Sequence, residues 1–264
     1  NGAINLTDAV LDLGTRPASA GSGSLSQRIA ADEDDAHEAA DGDMTVFSTQ
    51  LLFESGGYTG VRFSSVDIPQ GAQITSAAVD FEVRRRRRSN TDVHIRAHKT
   101  ANSQPFSQAD NDLSSRWALS TSADIDWQDV PAYGSGRRIT TPDIAEVIQE
   151  IVDQAGWNSG NALSLLFETT SGRRDFKSFC DDYANGICDD IEGDRPRLLV
   201  EYTAPPTPAQ AQRVALRFEG INIPQGATVT AASLALTPSA NRDDSASLTF
   251  NVSEDSTKPN CECH

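Results

Sequence analysis

The chain has little sulfur and little basic charge. Its 264 residues include one Met, four Cys and three Trp, with 22 Lys and Arg against 38 Asp and Glu. A formal charge of −16 excludes broad electrostatic attraction to nucleic acid or to anionic lipid. No apolar run reaches the ~18 residues of a membrane-spanning helix, so no membrane insertion is expected. Walker and Rossmann glycine loops, G-x-S-x-G and H-E-x-x-H are also missing. No catalytic residue is assigned, and the chain is not expected to be an enzyme.

What is present is mainly period-two alternation, broken by Gly, Pro, Asn and Asp. "YTGVRFSSVDI", "AQITSAAVDFEV" and "TDVHIRAHK" predict consecutive strands, and "ALSLLFET" and "RPRLLVEYT" close the same unit. One helix is predicted in "TTPDIAEVIQEIVDQAGW". There Thr141 is placed to cap, Pro142 suits the first turn, and Gly156 stops the helix. Ile144, Val147, Ile148, Ile151 and Val152 form its apolar face, which suits packing on a sheet.

A repeat divides the chain. Offset by 155 residues, Val61 falls on Leu216, Phe63 on Phe218 and Pro69 on Pro224, and nine of the nineteen positions from Val61 to Val79 are identical. Both copies contain "IPQGA", a turn in which Pro fixes φ and Gly permits positive φ. The second copy has no counterpart of the helix, of "ALSLLF" or of "RLLVEYT". The resulting division is an N-terminal strand and flexible stretch at 1–23, a complete module at 24–203, a Pro-rich linker at 204–212 and a partial module at 213–264.

Taken together, "GVRFSSVDIPQGAQITSAAVDF", "TPDIAEVIQEIVDQAGWNSGNALSLLF" and "RDFKSF…RPRLLVEYT" resemble the DNRLRE-type β-sandwich modules of secreted bacterial and archaeal proteins, which are related to certain carbohydrate-binding modules. The likeness covers residues 24 to 203 and, as a fragment, 213 to 255. It implies an all-β, jelly-roll-like antiparallel β-sandwich with one amphipathic helix, followed by a partial second sandwich. It also implies extracellular placement, secreted or on a prokaryotic cell surface, and often bound calcium. No particular ligand follows, because such modules serve adhesive, carbohydrate-binding and structural roles. This chain departs from the pattern in an Asp-rich insertion at 180–194 and in the truncated second copy. A start at Asn1 fits a mature form after signal-peptide removal, and equally a boundary within a longer chain.

Two acidic segments are candidate calcium sites, because calcium takes six to eight oxygen ligands. In "ADEDDAHEAADGD" the carboxylates are Asp32, Asp34, Asp35, Glu38, Asp41 and Asp43, without EF-hand spacing. In "CDDYANGICDDIEGD" they are Asp181, Asp182, Asp189, Asp190, Glu192 and Asp194, on a loop that a Cys180–Cys188 bridge would hold together. For each the alternative is a solvated loop.

In an exported chain the four cysteines favour disulfides. The terminal "CECH" supplies Cys261, Cys263 and His264, for a further disulfide or for zinc with His94 or His98. Covalent haem is not expected, since its motif needs two residues between the cysteines. The run Arg84, Arg85, Arg86, Arg87 and Arg88 is set in a turn and calls for a polyanion such as sulfated or uronic polysaccharide, or for the acidic segments of an identical subunit. Its alternative is a solvated turn.

Two functions follow. In the first, the chain is a non-catalytic structural subunit that assembles head to tail into filaments. The alternating Ile4, Leu6, Leu11 and Leu13 of one subunit would complete the apolar face of the half-module of another, at Leu216, Phe218, Leu234, Leu236 and Phe250. In the second, it is a carbohydrate-binding or adhesion module cut from a larger protein. Trp117, Trp127 and Trp157 are then candidate sugar platforms, although each sits where core packing is expected.

Overall fold

A computed structural model describes residues 21–205, apart from 181–182, 185–186 and 189–193, together with residues 222–234. Two antiparallel sheets face each other, as the all-β reading requires. The first contains β1 (Ser22–Arg28), β4 (Leu51–Glu54), β6 (Gln73–Arg85), β9 (Arg138–Thr140), β11 (Arg173–Phe176) and β14 (Arg197–Thr203). Its order is β1-β14-β6-β11-β4, with β9 also on β6. The second contains β2 (Asp35–Glu38), β3 (Met44–Thr45), β5 (Tyr58–Phe63), β7 (Asp92–Ala97), β8 (Ile125–Trp127) and β10 (Leu163–Ser171), in the order β3-β2-β5-β10-β7-β8. A separate hairpin pairs β12 (Tyr183–Ala184) with β13 (Ile187–Cys188).

The alternation seen in the sequence becomes a core between the sheets. Phe53 and Phe81 point inward from the first sheet and meet Phe167 of the second, with ring centroids 5.1 Å apart for Phe53–Phe167 and 5.5 Å for Phe81–Phe167, and Phe176 stacks on Phe81 at 4.9 Å. All four rings are fully buried, and each such burial contributes about 1.5–3 kcal/mol. β10 is buried on both faces. Its Leu165 and Phe167 join the main core, whereas Leu166 packs outward with Phe106 and Leu113. That outer cluster requires a glycine at position 60, since a Cβ there would lie 2.5 Å from Phe106 and 2.6 Å from Leu113.

Leu113 belongs to a short helix, α1 (Asp112–Trp117), that the periodicity did not reveal. The predicted helix is α2 (Ala145–Val152), and its apolar face is buried as expected: Ile144, Val147, Ile148, Ile151 and Val152 are all at 0 % exposure. Its capping differs from expectation. Thr141 Oγ1 accepts the Val79 N–H at 3.0 Å, and Asp143 Oδ1 accepts the Ala145 N–H at 3.0 Å. The helix also ends at Val152, ahead of Gly156. The same Asp143 oxygen accepts the Ala77 N–H, and Gln149 Oε1 accepts that of Ile74. Helix side chains thus satisfy edge groups of β6 that would otherwise be open to pairing.

β1 begins inside the stretch read as flexible, and Ser22 to Arg28 pair in continuous register with Thr203 to Arg197. The chain divides into two compact units, one of Ser19–Pro206 and one that groups Asn1–Ala18 with Thr207–His264.

Candidate functional site

The first acidic segment is a turn, a strand and a second turn: the solvated-loop alternative does not describe Asp34, Asp35 and Glu38, whereas Asp41 and Asp43 are exposed in the turn after β2. Asp32–Asp34 form a 3₁₀ turn, and β2 pairs with β5 from Asp35↔Val61 to Glu38↔Tyr58. Asp34, Asp35 and Glu38 are buried at 1 %, 2 % and 4 % exposure. Their oxygens accept from the protein's own donors. Asp34 Oδ2 takes the N–H groups of Ala30 and Ala31, each at 3.1 Å, while Oδ1 pairs with Arg62. Glu38 Oε2 takes the Ser114 N–H at 2.9 Å. Asp41 Oδ1 takes that of Asp43 at 3.4 Å. Among the described residues no three His, Cys, Asp or Glu side chains are grouped so as to hold a metal ion.

Asp35 joins this segment to the second one. Its Oδ2 accepts the Phe179 N–H at 2.7 Å, Arg195 Nε donates to the Phe179 carbonyl at 3.0 Å, and the Arg195 guanidinium lies 3.8 Å over the Phe179 ring. Two stretches far apart in sequence therefore meet at the neck of the Cys-bracketed insertion. Burial pushes the Asp35 carboxyl well above its ordinary range, and the charges of Asp32 and Asp34 push it further. Cys180 is buried at the head of the bracket, and across the hairpin Cys188 pairs with Tyr183. Asp194 pairs with Lys177. Asp181, Asp182, Asp189, Asp190 and Glu192 lie outside the described residues, as do Cys261, Cys263 and His264. His94 Nδ1 sits 3.1 Å from Asp124, and His98 Nδ1 sits 3.2 Å from Ser103.

The arginine run does not lie wholly in a turn. Arg84 and Arg85 end β6, and only Arg86 to Arg88 follow it. Arg87 Nη2 is 2.6 Å from Oδ2 of the fully buried Asp175, which Arg173 also holds at 2.9 Å. Arg84 reaches Gln50, and Arg86 Nε donates to the Ala132 carbonyl at 3.2 Å. That last bond brings in a loop the sequence did not flag. Val83 accepts the Gly136 N–H and donates to the Arg137 carbonyl, each at 2.8 Å, and the Arg137 guanidinium lies 5.8 Å over the exposed Tyr133 ring. No spacing in the sequence announces this meeting, because the β6–β9 register creates it.

The aromatic platforms separate into core and surface. Trp157 is fully buried and donates its indole N–H to Ile68 at 2.9 Å, and Trp127 is 5 % exposed. Both are core residues. Trp117 is half-buried, with the Arg96 guanidinium 4.7 Å over its ring and the Tyr58 ring 5.7 Å away.

The repeated turn folds the same way in both copies. Gly71 and Gly226 have φ of +68° and +82°, and Ala72 and Ala227 each donate to the proline three residues earlier at 3.1 Å. Beyond the turn the copies diverge. Ile68, Ile74 and Val79 are 0 %, 8 % and 0 % exposed, whereas their counterparts Ile223, Val229 and Leu234 are 54 %, 56 % and 42 % exposed. Residues 73–85 form β6, but 227–234 adopt no strand. Ile4, Leu6, Leu11, Leu13, Leu216, Phe218, Leu236 and Phe250 lie outside the described residues.

No protein-family model matches the chain, and no curated protein matches it. Among solved structures, a chain of the cryo-EM structure of mud crab tombus-like virus is similar over 78 % of this chain and 90 % of its own length, at 9 % identity and a TM-score of 0.31. A likeness at that score carries no argument, and the fold assignment rests on the two sheets.

Proposed function

We propose that the chain is a non-catalytic extracellular structural subunit, built on a DNRLRE-type module, whose copies join head to tail when the first residues of one complete the half-module of the next. One observation carries the reading. The second copy repeats the turn of the first, yet three apolar positions that the first copy buries stand exposed at 54 %, 56 % and 42 %. A strand-forming sequence with an uncovered apolar face and unpaired backbone needs strands from elsewhere. Ile4 and Leu6 have the spacing of one face of a short strand, and Leu11 and Leu13 that of another, and their burial would contribute about 1.5–3 kcal/mol per side chain before ordering entropy.

Calcium enters this proposal through the Cys-bracketed segment, since the carboxylates of Asp34, Asp35 and Glu38 already accept from protein donors. The bracket itself is proposed to be closed by a Cys180–Cys188 disulfide. The test of assembly is a capping experiment. Peptide corresponding to residues 1–20, added in excess to the native protein, should shorten its polymers as measured by light scattering. If polymer size does not respond to the peptide, the complementation reading is wrong.

A further inference from the structure

The charges of the complete module are segregated along β6. Among the described residues, the exposed arginines with no carboxylate partner are Arg85, Arg86, Arg88 and Arg137. All four lie at or beside the C-terminal end of β6: Arg85 ends the strand, Arg86 and Arg88 follow it, and the Val83–Arg137 and Arg86–Ala132 bonds bring the loop that carries Arg137 and Tyr133 alongside. The remaining exposed base among the described residues, Lys99, is held by Glu150 at 2.5 Å. The other end of β6 is acidic. There α2 and its flanks carry Asp143, Glu146, Glu150 and Asp153, a spacing of three, four and three residues that puts all four on one helical face. Glu150 is answered by Lys99 and by the N–H groups of Ser122 and Ala123. Asp143 accepts the N–H groups of Ala77 and Ala145, and Asp153 accepts from Gln149 Nε2, but these donors are uncharged, and Asp143, Glu146 and Asp153 are exposed with no basic partner among the described residues. Asp153 is also the C-cap residue, with no basic residue in the last turn. The helix dipole disfavours a carboxylate at that end, so the module bears a local cost that a cation from outside would relieve.

The two ends are well separated. Helix α2 and its flank are bonded to β6 at Ile74 and Ala77, and Arg137 is bonded to it at Val83, so the nearest members of the two groups, Asp143 and Arg137, are anchored six residues apart on the strand, about 20 Å at the rise of a strand. At that separation the two poles do not pair within one chain.

We propose that the arginine pole of one subunit, Arg85, Arg86, Arg88 and Arg137, docks on the acidic face of α2, Asp143, Glu146 and Asp153, in a second copy of this chain. The partner is chosen by charge: a chain at −16 repels its copies at long range, and among the described residues this pole is where exposed charge of the opposite sign collects. The contact joins different surfaces on the two partners, so it propagates and does not close into a dimer. It rests on the reading of the chain as a self-assembling subunit, and it supplies that reading with a second contact that orients neighbours.

The test is a charge swap in the full chain, followed by sedimentation velocity. One variant carries Arg85→Glu, Arg86→Glu and Arg137→Glu, and the other carries Glu146→Lys and Asp153→Lys. All five positions are exposed; the first variant should melt close to the native protein, and the second at or slightly above it, because Asp153→Lys replaces a carboxylate at the C-terminal end of α2 with a cation. At about 0.05 M salt each should associate at least about tenfold more weakly than the native protein, and an equimolar mixture of the two should recover the loss. Reversals that leave association unchanged, or a mixture no better than its parts, overturn the contact. If deleting residues 1–20 stops assembly while the reversals do not matter, the pole contact is wrong and complementation stands. The opposite pattern removes complementation and keeps the poles. A chain that is monomeric throughout removes both.

Discussion

The backbone N–H of Phe179 donates to Oδ2 of Asp35 at 2.7 Å, so a buried strand carboxyl holds the neck of the acidic insertion. The bond gives Asp35 a testable titration. Its native pKa is raised above the ordinary 3.8, chiefly by burial. The folded state therefore keeps the proton to higher pH than the unfolded chain, and stability falls as pH rises from the unfolded pKa through the folded one. Asp35→Asn does not titrate and retains an oxygen for the Phe179 N–H. Its melting temperature relative to the native protein should climb over the pH range above the ordinary 3.8. A difference that stays flat over that range contradicts the assignment.

Asp34 tests what the first acidic segment is for. Its carboxylate meets the Arg62 guanidinium and two backbone N–H groups, with 1 % of the residue exposed. Asp34→Ala would leave those N–H groups unpaired and Arg62 without its carboxylate, holding only the Ser103 carbonyl, a loss of about 3 kcal/mol or more. The loss should be the same with calcium as with excess chelator. Destabilisation that appears only when calcium is present would make Asp34 a metal ligand.

The Cys-bracketed insertion makes a covalent prediction. Under non-reducing conditions the peptide carrying Cys180 should stay joined to that carrying Cys188 when cleavage falls between them. A bridge over so short a loop stabilises by about 2–3 kcal/mol, and reduction should lower the melting temperature accordingly. Recovery of both residues as free thiols would overturn the oxidised, extracellular reading.

Much of the architecture was legible in the sequence, for identifiable reasons. β5, β6, β7, β10 and β14 show the apolar spacing that two-sheet packing demands, and the apolar stripe of α2 is the stripe that is buried. What stayed hidden was decided by tertiary partners. β1 is "SGSLSQR", a sequence of low strand propensity that becomes a strand because β14 offers a full register of partners. Asp34, Asp35 and Glu38 read as loop carboxylates until Arg62 and the N–H groups of Ala30, Phe179 and Ser114 are brought to them. Arg137 and Tyr133 join the arginine run only through the pairing of β9 with β6, while Asp175 removes Arg87 from it. The repeated turn was legible because Pro and Gly fix it locally, and the exposure that follows it in the second copy was not.

The central claim is that this exposed half-module is filled by a neighbour. Sedimentation velocity of the intact protein, beside a chain lacking residues 1–20, tests it most directly. Because β1 begins at Ser22, the shortened chain should fold, melt cooperatively and sediment as a monomer, while the intact protein grows with concentration. An intact protein that stays monomeric at high concentration, or a shortened one that assembles equally well, would contradict the account.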